Sequence, residues 1–309
     1  MKNNMKKISD PIISYSDGQF VPTNKVTINV SQDMLGTFRG YRIFTACRTI
    51  NGTVFLLQNH INRLFKSASE LSMKLPHTKP NLEDIIHQLL AKNSIEHDLL
   101  LQIMYSGGSP TKTRMSQRLN ASLYIIVNKL HPAPDNWYKN GISLATYIYQ
   151  RDWAHVKTNN YIGAVVAHQT SVKQQNADEA LFISPIDKKT ILEGSTFNIF
   201  MVNSKDEIIT PPESANILNG ITRQLVLELL RSNNIVVRET NTTLKDLEAI
   251  KEIFISSSTR NIVPVVRVDK NIIGNGTPGK VTRKASVILN SYLKSYKNPK
   301  TILQSNEYT

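Results

Sequence analysis

Residues 128 to 141, NKLHPAPDNWYKNG, carry two prolines and a glycine and show no hydrophobic periodicity. Proline fixes φ and removes a backbone donor, so such a stretch neither sustains a long helix nor pairs inside a sheet. It divides the 309-residue chain into two folding units, residues 1–127 and 142–309, with 128–141 as the linker. Both parts are long enough to bury a core.

The first part reads as an α+β unit. Residues 12 to 30 predict a hairpin turned at Asp17-Gly18, and strands at 41–48 and 53–58 meet at Asn51-Gly52, a strong short hairpin signal. A helix follows from about Asn59, where Ile61, Leu64, Phe65, Ala68 and Leu71 share a face until Pro76. A helix at 81–93 and strands at 99–105 and 121–128, separated by a long loop, complete it. In the second part, strands at 142–150, 179–184, 196–203 and 206–210 surround a helix at 161–175. Asn219-Gly220 opens a further helix. Strands at 252–257 and near 264–273 lead to an amphipathic terminal helix with Val287, Leu289 and Tyr292 on its apolar side.

Lysine and arginine number 37 against 24 acidic residues, a net charge of +13, yet the basic residues are spread along the chain with local concentrations only near its two ends. No recognition-helix, zinc-finger or RNP-like pattern accompanies them, and no nucleic-acid partner is expected. The single cysteine, Cys47, excludes an internal disulfide and multi-cysteine metal sites, so no metal centre is expected and a reducing cytoplasm fits. The apolar runs, such as LYIIV at 123–127, are strand-length, and the start of the chain lacks the apolar core of a secretory signal.

Five places carry candidate chemistry. In VKTNNYIGAVVAHQ, residues 156–169, one lysine, Lys157, stands among small polar residues just ahead of a helical run. In NILNGITRQLV the helix starting at Ile221 and Thr222 offers unpaired N–H groups at its positive end, a generic anion seat that water also fills. In HINRLFKSA, Arg63 shares a face with His60 and Ser67; its planar fork suits a phosphate, and a solvated surface arginine explains it as well. In ISSSTRNIVPV the hydroxyls, Ser257 and Ser258 among them, follow a strand directly and suit a phosphate at a sheet edge or a plain Ser-Thr turn. In ILEGSTFNIFMV, Glu193 precedes Gly194 in a turn leading into an apolar strand, and a partly buried carboxylate there needs a cationic partner. An amine, a buried acid and three phosphate contacts together suit pyridoxal 5′-phosphate: Schiff-base lysine, ring-nitrogen acid and phosphate cup.

The blocks RGYRIFTACRTINGTVFLLQNHINRL, VKTNNYIGAVVA, DEALFISPIDKKTILEGSTFNIFMV, TPPESANILNGITR and EIFISSSTRNIVPV resemble, in that order, the class IV (fold type IV) pyridoxal-phosphate enzymes. That family includes branched-chain aminotransferases, D-amino acid aminotransferases and aminodeoxychorismate lyase. The resemblance implies a small N-terminal α/β domain, a larger C-terminal β-barrel-like α/β domain and a homodimer. It implies Lys157 as Schiff-base lysine and proton shuttle, Glu193 at the pyridine nitrogen and Tyr161 at the phenolic oxygen. It gives the phosphate to Arg63, Ile221, Thr222, Ser257 and Ser258, makes Asn198 structural, and puts Arg151 close to the cofactor. The family's Gly-x-Gly-x-Phe-Glu becomes GYRIFT here, with Arg42 at the second glycine and Thr45 at the glutamate. Arg42 and Arg151 are therefore the expected substrate-pocket residues.

The activity so implied is transfer of an amino group between an amino acid, branched-chain-like or D, and a 2-oxo acid. The same residues would serve 4-amino-4-deoxychorismate lyase, which eliminates pyruvate. A third alternative, a binding protein that kept the fold and lost the chemistry, rests on Arg42 and Thr45 alone.

Overall fold

The structure, a computed structural model, describes residues 11–94 and 96–296. The basic run MKNNMKK and the residues from Lys297 onward lie outside them. The described residues form two compact units that part between Leu130 and His131.

The first unit holds β1 (Ile13–Ser16), β2 (Gln19–Pro22), α1 (Met34–Arg39), β3 (Arg42–Ile50), β4 (Thr53–Val54), α2 (Leu57–Glu70), α3 (Lys79–Ala91), β5 (Leu99–Ser106) and β6 (Ser122–Lys129). Its antiparallel sheet runs β2-β1-β6-β5-β3-β4. Asp17 and Gly18 have φ of 43° and 100°, and Asn51 and Gly52 of 52° and 77°, the positive pairs that tight hairpin turns require. Burial alternates along β3, placing Ile43, Thr45, Cys47 and Thr49 inside. Ile61, Leu64 and Ala68 of α2 are buried, as their three-and-four spacing predicts. The strand expected over 53–58 is only Thr53–Val54, because Leu56 turns left-handed (φ 52°) and α2 begins at Leu57, earlier than Asn59. A short apolar run fits a buried helix start as well as a strand.

The second unit holds α4 (Asp135–Asn140), β7 (Ile142–Ile148), α5 (Ile162–Ala167), β8 (Glu179–Ile183), β9 (Ile191–Gly194), β10 (Asn198–Val202), β11 (Ile208–Thr210), α6 (Ile221–Ser232), β12 (Val237–Glu239), β13 (Glu252–Ser257), β14 (Asn261–Val268), β15 (Asn271–Ile272) and α7 (Lys280–Ser295). The sheet order is β12-β11-β10-β13-β14-β7-β8-β9, with β15 on β14. Strand β7 lies parallel to both β8 and β14, and β8, buried along its whole length, follows Glu179 with the apolar run Ala180–Ile183. At the end of β9, Gly194 N–H donates to Phe197 O at 2.9 Å just ahead of β10. The last strand in the order thus returns to the third, and the sheet curls into a half barrel. Leu144, Ile183, Phe197, Ile199, Ile255 and Val263 fill its interior. Each such side chain contributes up to about 2–3 kcal/mol on burial.

Three expectations change here. Residues 135–140 of the proline-rich segment form α4, started by Pro134 with Asp135 in its first turn, and Trp137 packs against the interior of the half barrel. Glu193 lies on β9 and not in a turn, since four consecutive buried residues leave no polar alternation to announce a strand. On α7 the buried face is Thr282, Ala285, Leu289 and Leu293, and Val287 is exposed. Among the described residues, no helix is long and apolar enough to cross a membrane.

Candidate active site

The second unit brings most of the sequence-predicted residues into a few hydrogen-bonded groups. Glu193 and Arg151 form a buried ion pair, with side chains 8% and 7% exposed. Glu193 Oε1 accepts from Arg151 Nη2 at 2.5 Å and Nε at 3.1 Å, and Oε2 accepts from the Leu218 amide at 3.2 Å. Arg151 also donates to Ala154 O at 3.0 Å. Burial raises the Glu193 carboxyl above its ordinary value, against the pull of Arg151 and of the Leu218 N–H, with Lys157 adding a weaker pull. Burial works against the charge on Arg151, and Glu193 more than restores it. The result is a desolvated acid held in a fixed orientation by a cation.

Lys157 sits in the connection between β7 and α5, where its Nζ donates to Tyr161 Oη at 2.7 Å. Tyr161 immediately precedes α5, so the helix start fixes the phenol. Gly163 lies over the Tyr149 ring, where a Cβ would come within 2.2 Å of Tyr149 Cζ; only glycine lets α5 pack so near.

The start of α6 has no side-chain cap, and Ile221 and Thr222 are buried in its first turn. Thr222 Oγ1 lies 3.3 Å from Ser258 Oγ, which joins two of the expected phosphate contacts. A Cβ at Gly220 would meet Asn198 Oδ1 at 2.2 Å, and Asn198 Nδ2 donates to Leu218 O at 2.9 Å. Asn198 therefore holds the loop that leads into α6, as a structural asparagine would. Ser257 Oγ, at the end of β13, accepts from Arg260 Nε at 3.2 Å.

Arg63 and Arg42 belong to the first unit. Arg63 Nη2 donates to Thr45 Oγ1 at 2.7 Å, and His60 Nδ1 lies 2.7 Å from the same oxygen. The Thr45 hydroxyl thus joins Arg63 and His60. Arg42 pairs with Asp33 at 2.6 Å and donates to Ser106 at 2.7 Å and Thr37 at 3.1 Å. Its charge is balanced within its own unit, by a carboxylate that also accepts from the Gly108 amide.

The sequence carries no local sign of the Leu218 amide that holds Glu193, or of Arg260 as the partner of Ser257. A main-chain donor leaves no side-chain signature, and Arg260 was visible only as part of the hydroxyl-rich motif.

The residues present fit pyridoxal phosphate. An uncapped helix start with two adjacent hydroxyls suits a phosphate, a buried acid suits a protonated ring nitrogen, and a lysine amine beside a phenol suits the aldehyde and its neighbouring oxygen. The close approach of Asn198 to Gly220, which leaves no room for a Cβ, fixes the loop that presents this helix start.

Comparison with known proteins points the same way. The family described as amino-transferase class IV matches residues 42–268. A putative branched-chain-amino-acid aminotransferase of Methanocaldococcus jannaschii is 30% identical over 275 residues, covering 87% of this chain and 92% of that protein. A D-alanine aminotransferase of Staphylococcus haemolyticus is 28% identical over 283 residues, covering 91% and 98%. Among solved structures, the branched-chain amino acid aminotransferase of Escherichia coli superposes with a TM-score of 0.82 at 20% identity, covering 92% of this chain and 95% of that one. A Brucella abortus aminotransferase bound to its cofactor PLP superposes with a TM-score of 0.81 at 21% identity, covering 92% and 99%.

Proposed function

The chain belongs to the class IV aminotransferases, pyridoxal-phosphate enzymes, and from that premise we propose that it moves an amino group between an amino acid of the branched-chain or D class and a 2-oxo acid. The observation that carries this reading is the pairing of Lys157 with Tyr161 in the same unit as the buried Glu193–Arg151 pair.

Pyridoxal phosphate, when bound, supplies an aldehyde carbon and a ring that draws electrons from the substrate's Cα. Lys157 Nζ would hold that aldehyde carbon and, once freed by the substrate's amine, would move the proton from the substrate's Cα to that carbon. Tyr161 Oη, 2.7 Å from Nζ, aims the amine. Glu193 would accept a hydrogen bond from the ring nitrogen and favour its protonated form, with Arg151 holding the carboxylate in place. The N–H groups of Ile221 and Thr222 at the start of α6 and the hydroxyls of Thr222, Ser257 and Ser258 would hold the phosphate, with Arg63 the further contact that the resemblance implies.

We further propose a homodimer. Ile162, Val165 and Val166 share one face of α5 by their three-and-four spacing and are 74%, 57% and 39% exposed. Contiguous exposed apolar surface marks an interaction site, and this face adjoins Tyr161. A reducing cytoplasm suits a chain whose one cysteine is a buried free thiol.

The test is an absorbance spectrum of the purified protein as L-leucine, L-valine, D-alanine and other L- and D-amino acids are added in turn. A visible cofactor band that bleaches with particular donors and returns with a 2-oxo acid supports transamination and identifies the donor class. Pyruvate released without any 2-oxo acid would assign the chain to the lyase reaction. Absence of a band, even with added pyridoxal phosphate, would overturn the reading.

A further inference from the structure

We propose that Arg260 is a positioning residue for the cofactor's phosphate, orienting the Ser257 hydroxyl and tying it to the turn that follows Glu193. The inference rests on the cofactor reading above and adds a residue to it.

One guanidinium reaches three elements. Nε donates to Ser257 Oγ at 3.2 Å at the end of β13, Nη2 donates to Thr196 Oγ1 in the turn between β9 and β10, and Nη1 pairs with Glu179 Oε1 at the start of β8. The side chain is 12% exposed, and its guanidinium carbon lies 5.9 Å from the Trp137 ring centroid and 5.8 Å from that of Phe197. Both separations fall within cation–π range. Tyr138 Oη fixes the backbone by donating to Arg260 O at 3.1 Å.

The direction of the Ser257 bond carries the argument. A serine hydroxyl has one proton to give and two lone pairs to receive with. Arg260 Nε has no lone pair to offer, so Ser257 is the acceptor in this contact and its own proton is left to donate elsewhere. A phosphate, which presents acceptor oxygens, is the partner such a proton suits. A serine without this neighbour would be equally able to turn its lone pairs outward.

The same fork connects the two ends of the cofactor site. Thr196 is three residues from the ring-nitrogen acid Glu193, and Ser257 lies next to Ser258, which meets Thr222. Glu179 balances the charge of Arg260 and accepts from Ser195 Oγ at 2.7 Å in the same turn. A lysine at 260 would keep a charge for Glu179 and lose the rigid fork that spans three partners.

The experiment measures the affinity of the full-length protein for pyridoxal phosphate and for pyridoxal, together with the ³¹P resonance of the bound cofactor, in wild type, Arg260→Lys, Arg260→Met, Ser257→Ala and Arg260→Lys/Ser257→Ala. We expect Arg260→Lys and Arg260→Met to weaken pyridoxal phosphate by about ten-fold and pyridoxal by much less, and to move the ³¹P resonance. Ser257→Ala should match them, and the double variant should add little. Arg260→Lys keeps an ion pair for Glu179 and carries the test if Arg260→Met does not fold. Unchanged pyridoxal phosphate affinity and an unmoved resonance in a folded Arg260→Lys protein would overturn the inference, as would an equal loss for both ligands. A wild type that binds no pyridoxal phosphate would instead overturn the cofactor reading, and the inference with it.

Discussion

Asn198 donates its side-chain Nδ2 to the carbonyl of Leu218 at 2.9 Å, while the amide of the same leucine donates to Glu193 Oε2 at 3.2 Å. Two residues of the EGSTFN block thereby hold both backbone groups of the residue that leads into the LNGITR block. The link joins the acid meant for the ring nitrogen to the helix start meant for the phosphate. Asn198→Ala leaves a buried carbonyl without its donor, which costs about 1–3 kcal/mol. Denaturant unfolding should show that loss, and titration with pyridoxal phosphate should show weaker binding, because the start of α6 loses its anchor. A cofactor affinity equal to wild type would reject the second half of this prediction.

The Arg151–Glu193 pair should behave as a buried salt bridge. Removing one partner strands the other charge away from water, at a cost of about 3–5 kcal/mol. Glu193→Gln and Arg151→Met should each destabilise the protein strongly, and the double variant should lose clearly less than the two single losses together. Urea unfolding of the four proteins measures the coupling. Simple additivity would mean that the 2.5 Å contact contributes nothing of its own.

Local pattern made the hairpins legible, since Asp17-Gly18 and Asn51-Gly52 adopt the backbone that their composition demands. The helices α2 and α6 followed from apolar spacing, and the order of the motif blocks pointed to the family. What stayed hidden depends on partners distant in sequence. Arg260 is 81 residues from Glu179 and 64 from Thr196, and no local signal relates them. Strand β9 hid because all four of its residues are buried, which erases alternation. The pairing of Arg42 with Asp33 was hidden in the same way, because Asp33 lies nine residues earlier in the segment before α1.

Lys157→Ala should abolish transamination and the visible cofactor band together, because it removes the amine proposed to hold the aldehyde. Tyr161→Phe is the sharper test. It keeps the ring and removes only the oxygen that receives Lys157 Nζ at 2.7 Å. The band should persist at a shifted wavelength, and kcat should fall by about ten-fold or more, the scale of one lost charge-assisted hydrogen bond. Steady-state kinetics with the best donor found in the spectral panel reads this directly. An unchanged kcat would remove Tyr161 from the proposed machinery.

His168 introduces a pH dependence through the same Glu179 that Arg260 engages. Its Nε2 lies 3.2 Å from Glu179 Oε2, and that hydrogen bond raises the imidazole above its ordinary value, with burial and Arg260 opposing. Because the folded value exceeds the unfolded one, the stabilisation is complete below the unfolded value of about 6.5 and is lost as pH rises through the folded value. Glu179 moves the other way: burial pushes its carboxyl up, but His168, Arg260 and Ser195 outweigh that and hold it below its ordinary value. Its contribution is present above the unfolded carboxylate value and is lost as pH falls through the folded one. The imidazole is 37% exposed, so solvent screens the pair and the effect on melting temperature is small. Melting curves from pH 5.5 to 8.5 should show wild type losing stability relative to His168→Gln as pH rises above the unfolded imidazole value of about 6.5. Parallel curves for the two proteins would mean that His168 and Glu179 are not coupled in solution.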